Sequence, residues 1–328
     1  MVVDLIQLIG GFLLLVWAAD RLVAGASATA RNLGVSPLII GLVIVGFGTS
    51  APELVVSAVA TTRGNAGLAV GNAIGSNIAN MGLILGFTAL VYPLRLESST
   101  LKREYPLLLL VMLITLLMCL NMQLSRLEGY LLLLALFALI AWLIRFGLSR
   151  PANDPFAQEL EAEIPTDMPT KVAVFWLVVS LIALPASSHF LVEGAIGIAS
   201  QLGVTDTVIG LTVVAFGTSL PELATAITSA IRKEDDIAIG NIIGSNLFNL
   251  LGVLGIAASI RPIEIQSMVL ARDFPVMFLL TGLVFLLASD FRGPGRIGRG
   301  AGALLLLIFI IYQAVIWMGP DSFVTPAA

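Results

Sequence analysis

Two glutamates stand inside long apolar stretches, each at the end of the same short motif. Glu53 closes the sequence Gly-Thr-Ser-Ala-Pro-Glu, and Glu222 closes Gly-Thr-Ser-Leu-Pro-Glu. An unpaired carboxylate in an apolar layer costs at least ~3 kcal/mol, and no Lys or Arg stands at a similar depth in these stretches. Such a pair needs a mobile positive charge, either a metal ion or protons, to neutralise it.

The polar side chains that accompany the two glutamates offer only oxygen ligands. They occur in two matching sets, which are Thr49, Ser50, Ser76, Asn77 and Asn80, and Thr218, Ser219, Ser245, Asn246 and Asn249. On a helix, residues four apart such as Thr49 and Glu53 project from one face. Hydroxyl, amide and carboxylate oxygens suit hard cations, whereas zinc or copper would require His or Cys. The predicted chemistry is binding of a hard cation, and Ca2+ would cancel both charges.

Each motif also contains a proline, Pro52 or Pro221, directly before the glutamate. A proline inside a helix has no N–H for the carbonyl four residues back, so Gly48 and Gly217 are predicted to lose their usual donor. In an apolar layer such a carbonyl is tolerated where it lines a cavity or binds something. A broken helix that presents carbonyl oxygens beside a carboxylate is therefore predicted in both places.

Composition indicates a polytopic all-α membrane protein. Hydrophobic residues make up 58% of the 328 residues, charged residues only 12%, and the mean hydropathy is +1.01, whereas soluble domains carry about 25% charged residues. No basic run suggests binding of nucleic acid, and Cys119, the single cysteine, permits no intramolecular disulfide. The lipid bilayer is the expected surrounding.

Apolar runs long enough to cross a bilayer, which takes about 20 residues, predict ten transmembrane helices. They are 5–30, 36–62, 68–91, 105–122, 127–148, 171–198, 206–231, 237–260, 271–289 and 300–318. Residues 149–170 are rich in Pro, Asp and Glu and form a predicted solvated linker. With both termini outside and the linker in the cytoplasm, thirteen Lys and Arg residues are cytoplasmic and four are outside, as the positive-inside rule favours.

The chain contains an internal repeat. Residues 41–86 and 210–255 align without a gap at an offset of 169, with 21 of 46 positions identical. Because each half contains five predicted spans, an odd number, the second copy enters the membrane the opposite way up. The predicted domains are a first inverted repeat at 1–148, the linker at 149–170 and a second inverted repeat at 171–328. Inverted repeats with a site near the midplane are typical of alternating-access transporters.

Electrostatics favours an exchanger over other classes. A cation-loaded site is near neutral, whereas an empty one would carry two buried negative charges through an apolar barrier, so return requires a replacement cation. A cation channel, the rival from another class, needs no counter-ion and no broken helix in both halves. An intramembrane hydrolase is disfavoured because Ser187, Ser188 and His189 are adjacent and do not face one another on a helix. We therefore predict no enzymatic activity and no cofactor.

The motifs closely resemble the alpha-repeats of the Ca2+:cation antiporter superfamily, especially the prokaryotic Na+/Ca2+ exchanger type. The resemblance rests on residues 48–53 and 71–77, on their partners 217–222 and 240–246, and on the organisation of nearly the whole chain. It implies alternating-access exchange of Ca2+ for Na+ across the plasma membrane, the inner membrane in bacteria. A single chain holds the whole predicted site, so a functional monomer is expected.

The resemblance also implies roles for individual residues. In that family four cation sites cluster between the second, third, seventh and eighth helices. Carried over, Glu53 and Glu222 would bind Ca2+ together with the carbonyls of Thr49 and Thr218. The Na+ sites would be completed by the side chains of Thr49, Ser50, Ser76, Thr218, Ser219 and Ser245 and by the carbonyls of Gly46 and Ala215. Asn80 and Asn249 would line the central position.

Two departures bear on the coupling ion. Asn249 stands where some K+-dependent members have Asp, and Asn resembles the K+-independent type. The proton-coupled vacuolar branch carries a Glu after its Gly-Asn motif, whereas this chain has Ile74 and Gly75, and Ile243 and Gly244, in that region. This favours Na+ over H+ coupling, and a Ca2+/H+ antiporter of the same fold is the nearest alternative.

Overall fold

The computed structural model describes residues 2–35, 37–64, 66–96, 98–147, 168–201, 215–288 and 295–318. Within them the chain is mostly helical. The helices of the first half are α1 (Val2–Leu33), α2 (Pro37–Ile40), α3 (Gly46–Thr49), α4 (Ala51–Thr62), α5 (Ala66–Ala79), α6 (Leu85–Val91), α7 (Ser98–Cys119) and α8 (Arg126–Gly147). Those of the second half are α9 (Thr170–Gln201), α10 (Ala215–Thr218), α11 (Leu220–Ile231), α12 (Asp235–Leu247), α13 (Leu254–Ile260), α14 (Phe274–Ala288) and α15 (Arg299–Met318). Nearly all of the predicted linker 149–170 lies outside the described residues.

Several helical runs are interrupted by short π-helical segments. These segments are Gly41–Val45, Asn80–Ile84, Phe248–Val253 and Val269–Asp273. A π-helical turn carries an extra residue and often marks a functional position. Two of the four begin at or next to asparagines of the predicted site, so the wider turn sets where those side chains point.

Seven helices of the described chain are long and apolar enough to cross a membrane, and the bent pair Gly41–Thr49 and Ala51–Thr62 makes an eighth. Two further apolar helices, Glu104–Cys119 and Leu220–Ile231, are shorter. The second lies in the predicted span 206–231, whose first part is outside the described residues. Each of the ten predicted spans thus corresponds to a helix, wholly or in part.

The helices differ in how much of their surface faces outward. In the most apolar 18-residue stretch of each helix, the share of buried residues is 100% for Asp235–Ile260 and 67% for Ala66–Val91. The corresponding share is only 22% for α1 and 28% for α9. The main hydrophobic core surrounds the two enclosed runs. A second, smaller core joins α1 to α9, whose backbones approach closely where Gly11 meets Leu191 and Gly25 meets Leu177.

Two short antiparallel strand pairs connect the halves of the chain. Strand β1 (Leu94–Leu96) pairs with β4 (Gly295–Ile297), and β2 (Gln123–Leu124) pairs with β3 (Ile263–Glu264). Each pair takes one strand from each half. The strands follow or precede helices that enclose the predicted site, so the pairs fasten those helices at their ends.

Candidate functional site

Both glutamates lie in the first turn of a helix that follows a break. In the first half the helix axis bends by 48° between Gly41–Thr49 and Ala51–Thr62. The break is at Ser50, with φ −84 and ψ 2, and the matching break in the second half is at Ser219, with φ −90 and ψ 2. A proline occupies the start of the new helix in each case, where its missing N–H costs least. The predicted broken helices are therefore present in both halves.

The two carboxylates are buried and close enough to repel one another. Glu53 is 1% exposed and Glu222 is 2% exposed, and the negative charge of one acts on the other. The second carboxylate oxygen, Oε2, of each has no hydrogen-bond partner. Among the described residues neither forms an ion pair with a Lys, Arg or His. An uncompensated buried pair of this kind favours a bound cation or a proton.

Hydroxyl groups from both halves surround Glu222. Ser50 Oγ donates to Glu222 Oε1 across 3.3 Å, and the side chains of Thr49 and Ser245 also approach this carboxylate. Thr49 Oγ1 lies 3.2 Å from Ser245 Oγ and 3.4 Å from the Gly46 carbonyl oxygen, which Ser245 Oγ approaches at 3.5 Å. Six predicted site residues, Glu53 included, thus share one cluster: Gly46, Thr49, Ser50, Glu53, Glu222 and Ser245.

A patch of buried asparagine amides lies next to the π-helical segments Asn80–Ile84 and Phe248–Val253. Asn80 begins one segment, and its Nδ2 donates to Asn246 Oδ1 at 2.9 Å. Asn77 Nδ2 donates to the Asn246 carbonyl at 3.2 Å. The Oδ1 atoms of Asn77, Asn80 and Asn249 are buried without a partner. These oxygens are free to accept a hydrogen bond or to ligate a cation.

The structure also describes positions for the other predicted residues. Ser76 is buried on α5, Ser219 is buried at the second break, and Thr218 is half-buried at the end of α10. Ala215 begins α10, where the backbone alone is described. The structure brings together the first-half residues of the site more completely than those of the second half.

Close backbone packing positions the first broken helix. A Cβ at Gly41 would lie 2.9 Å from the Ile237 carbonyl oxygen, and a Cβ at Gly46 would lie 3.1 Å from the backbone of Gly244. A Cβ at Gly244 would collide with the Leu42 carbonyl. Glycines let the two backbones touch, so the segment that carries Thr49 and Ser50 lies directly on α12. This packing places Ser245 Oγ near the Gly46 carbonyl oxygen.

The Gly217 carbonyl, which is predicted to lose its usual backbone donor, has a side-chain donor instead. Its oxygen accepts a hydrogen bond of 2.5 Å from Ser188 Oγ of α9. The hydroxyl takes the place of the N–H that Pro221 lacks. The position that corresponds to Ser188 at the repeat offset is Ala19, which has no hydroxyl. Thus the carbonyl at the second break is held by a neighbouring helix through a contact that Ala19 cannot make at the first.

Two further asparagines, one in each of the motifs 71–77 and 240–246, hydrogen-bond to the backbone of the glutamates. Asn72 Nδ2 donates to the Glu53 carbonyl at 3.3 Å and to Ser57 Oγ at 2.9 Å. Asn241 Nδ2 lies 3.4 Å from the Glu222 carbonyl, and its Oδ1 accepts from Thr49 Oγ1 at 2.9 Å. The sequence does mark these two residues, because asparagine occurs at both positions of the repeat, 169 residues apart. No comparable signal pointed to Ser188.

Apolar helices around a buried cluster of carboxylate, hydroxyl and amide groups are typical of membrane cation transporters, and comparisons with known proteins specify the class. The profile of the family described as sodium/calcium exchanger protein matches residues 3–145 and 172–318. CaxA of Alkalimonas amylolytica is 46% identical over 317 residues, covering 97% of this chain and 99% of that protein. The inner membrane protein YrbG of Escherichia coli K12 is 43% identical over 316 residues, covering 95% and 97%.

A solved structure agrees with these matches. The structure of the sodium-calcium exchanger NCX_Mj soaked with Na+ and Ca2+ superposes with a TM-score of 0.84 and 30% identity, covering 97% of this chain and 100% of that one. The chain belongs to the sodium/calcium exchanger family, a family of membrane cation exchangers.

Proposed function

We propose that this protein is a secondary active antiporter that exchanges Ca2+ for Na+ across the plasma membrane, which is the inner membrane in a bacterium, by alternating access. The observation that carries the proposal is the pair Glu53 and Glu222, buried at close range with no basic partner among the described residues. Two negative charges match one Ca2+. The names of the family and of NCX_Mj, both sodium/calcium exchangers, favour the same ions.

The proposed ligands follow from the cluster. Glu53 and Glu222 bind Ca2+ with the carbonyls of Thr49 and Thr218. The Na+ ligands are the hydroxyls of Thr49, Ser50, Ser76, Thr218, Ser219 and Ser245 and the carbonyls of Gly46 and Ala215. Asn80 and Asn249 line the central position, and their partnerless Oδ1 atoms support this role. Oxygen ligands of mixed charge are what Ca2+ and Na+ require.

The proposed architecture is ten transmembrane helices in two inverted repeats of five, at 1–148 and 171–328, joined by a cytoplasmic linker at 149–170, with both termini outside. It is supported by helix bounds that recur at the repeat offset: Ala51–Thr62 matches Leu220–Ile231, and Leu85–Val91 matches Leu254–Ile260. The strand pairs that cross between the halves are arranged with the same pseudo-symmetry. One chain is proposed to function as a monomer.

The mechanism follows from charge. With Ca2+ bound, the two carboxylates are neutralised and the loaded site can change the side to which it opens. Without a cation, the same rearrangement would move two buried negative charges through an apolar layer, which is strongly unfavourable. Na+ therefore replaces Ca2+ before the return step, and transport in one direction obliges transport in the other.

Ion-gradient experiments in proteoliposomes test this function. Uptake of radioactive Ca2+ is measured under an imposed Na+ gradient, an imposed pH gradient, and neither. We expect uptake under the Na+ gradient. Uptake that responds to the pH gradient alone would instead identify a Ca2+/H+ antiporter, and uptake without any counter-ion would identify a channel.

A further inference from the structure

Each glutamate lies in the first turn of a helix, and an asparagine of the following helix donates a hydrogen bond to the backbone of that turn. Asn72 and Asn241 occupy equivalent positions of the repeat, on α5 and α12. Each directs its Nδ2 to the backbone carbonyl of the glutamate in its own half, at 3.3 Å for Glu53 and 3.4 Å for Glu222. Neither asparagine contacts a carboxylate in these hydrogen bonds. Their effect on the glutamates is on the backbone that carries them.

Asn241 makes a second contact that crosses between the halves. Its Oδ1 accepts a hydrogen bond of 2.9 Å from Thr49 Oγ1, next to the break in the first half. Asn241 is 0% exposed, so water cannot replace either partner. One amide thereby fixes the backbone of Glu222 and the side chain of Thr49 relative to each other.

Asn72 is held differently. It is only half-buried, and its Nδ2 also donates to Ser57 Oγ at 2.9 Å within its own half. The residue that corresponds to Ser57 is Ala226, which offers no such acceptor to Asn241. The first-half amide thus has a local alternative partner, whereas the second-half amide is committed to groups at the site.

We propose that Asn72 and Asn241 are positioning residues for the cation site that do not ligate the ion. Each fixes the backbone of the glutamate in its own half, Asn241 also fixes that backbone relative to Thr49 of the other half, and Asn241 has the larger effect. The proposal rests on the function proposed above. A single hydrogen bond makes a modest net contribution to the folded structure, so the loss of these contacts should weaken cation binding rather than abolish it.

The test measures the concentration dependence of Na+-driven Ca2+ uptake in proteoliposomes, together with thermal unfolding in detergent with and without Ca2+. In Asn241→Ala we expect the KM for Ca2+ to rise ~10–100-fold with a much smaller change in maximal rate, since two contacts are lost. In Asn72→Ala we expect a rise of ~3–10-fold, since water can replace a half-buried amide. The stabilisation by Ca2+ should fall in the same order.

A control variant separates positioning from general stability. Thr115→Val removes a buried hydroxyl on α7 that donates only to the Val111 carbonyl of its own helix, and it should leave the KM for Ca2+ unchanged. If Asn241→Ala is not recovered from the membrane, Asn241→Ser, which keeps a short polar side chain, takes its place with Asn72→Ala.

The outcomes are distinguishable. If the wild-type protein neither transports nor is stabilised by Ca2+, the proposed function is wrong. If the wild type does both, and the asparagine variants lose thermal stability but keep the wild-type KM, the positioning role is wrong while the function stands. Equal effects of Asn72→Ala and Asn241→Ala would overturn the greater weight given to Asn241.

Discussion

The helix breaks at Ser50 and Ser219 have nearly the same backbone dihedral angles but different neighbours. At the first, backbone contacts through glycine place Thr49 and Ser50 against α12 and bring Thr49 to Asn241. At the second, Ser188 of α9 holds the Gly217 carbonyl. At the first break, Ser50 also donates to Glu222, the glutamate of the other half. Equivalent sequences are therefore held by inequivalent contacts, and substitutions at matched positions can show which contacts matter.

The largest effect on transport is expected from removing either glutamate, because each half contributes one of the two carboxylates. Glu53→Gln and Glu222→Gln each leave a single buried carboxylate to pair with a divalent cation. Removing one partner from a buried charge pair costs ~3–5 kcal/mol, so binding of the cation should fall ~150–5000-fold. Na+-driven Ca2+ uptake should be lost in both. Glu264→Gln, at an exposed carboxylate on β3, is the matched control. Robust uptake by either site variant would remove the site assignment.

The asparagines in the π-helical segments should separate stability from binding. Asn80→Ala leaves Asn246 Oδ1 buried without its donor, which should cost ~1–3 kcal/mol in the free energy of unfolding. Asn249→Ala removes an oxygen that has no partner and should cost less. Thermal unfolding without Ca2+ measures the difference. A larger loss of stability in Asn249→Ala than in Asn80→Ala, measured in the absence of cations, would contradict this expectation.

Ser188→Ala should remove a contact that Ala19 cannot make in the first half. The Gly217 carbonyl would lose its donor, at an expected cost of ~1–3 kcal/mol. Ser187→Ala is the control, because that hydroxyl donates to the Leu184 carbonyl within its own helix and should matter little. Comparison of the two thermal midpoints checks the expectation. A Ser187 variant as unstable as the Ser188 variant would show that the hydrogen bond to Gly217 is unimportant.

The smallest effect is expected at the turn between α11 and α12. Burial raises the pKa of Glu234, against the opposing influence of Ser27, whose Oγ donates to Glu234 Oε1 at 2.5 Å, and of Arg31 and Arg232. A carboxyl with a raised pKa binds its proton more tightly in the folded protein, so its contribution to stability falls as pH rises through that window. Relative to Glu234→Gln, the wild type should therefore lose stability as pH rises from about 4.

That measurement also compares the halves. The residue equivalent to Glu234 is Asn65, which lies outside the described residues and has no charge to titrate. Asn65→Gln therefore serves as the control and should leave the pH profile of the unfolding midpoint unchanged. A pH dependence that is the same in Glu234→Gln and in the wild type would show that other groups control it.

The sequence predicted the features that depend on residue type and repetition. Glu53 and Glu222 are predicted as candidate site residues because each is a charge in an apolar run. The helix breaks are predicted because Pro52 and Pro221 each lack an N–H. The predicted transmembrane segments correspond to helices for the same reason, since an apolar segment of sufficient length in lipid forms a helix.

Contacts between distant elements were not predictable in this way. The hydrogen bonds of Asn241 to Thr49 and of Ser188 to Gly217 depend on which helices touch, and no spacing along the chain specifies that. The π-helical segments that begin at Asn80 and Phe248 lie at nearly matching positions of the repeat, but the residue pattern predicts no wider turn there. The local motif therefore specified the chemistry, and the enclosing helices specified its geometry.

The strand pairs that cross between the halves have a mechanical consequence. Because β1 is hydrogen-bonded to β4, and β2 to β3, the helices next to the site are cross-braced at two points. Separating the halves as rigid blocks would break main-chain hydrogen bonds at both braces. An opening that leaves the braces intact has to involve helices outside them, and α1 and α9 are two such helices.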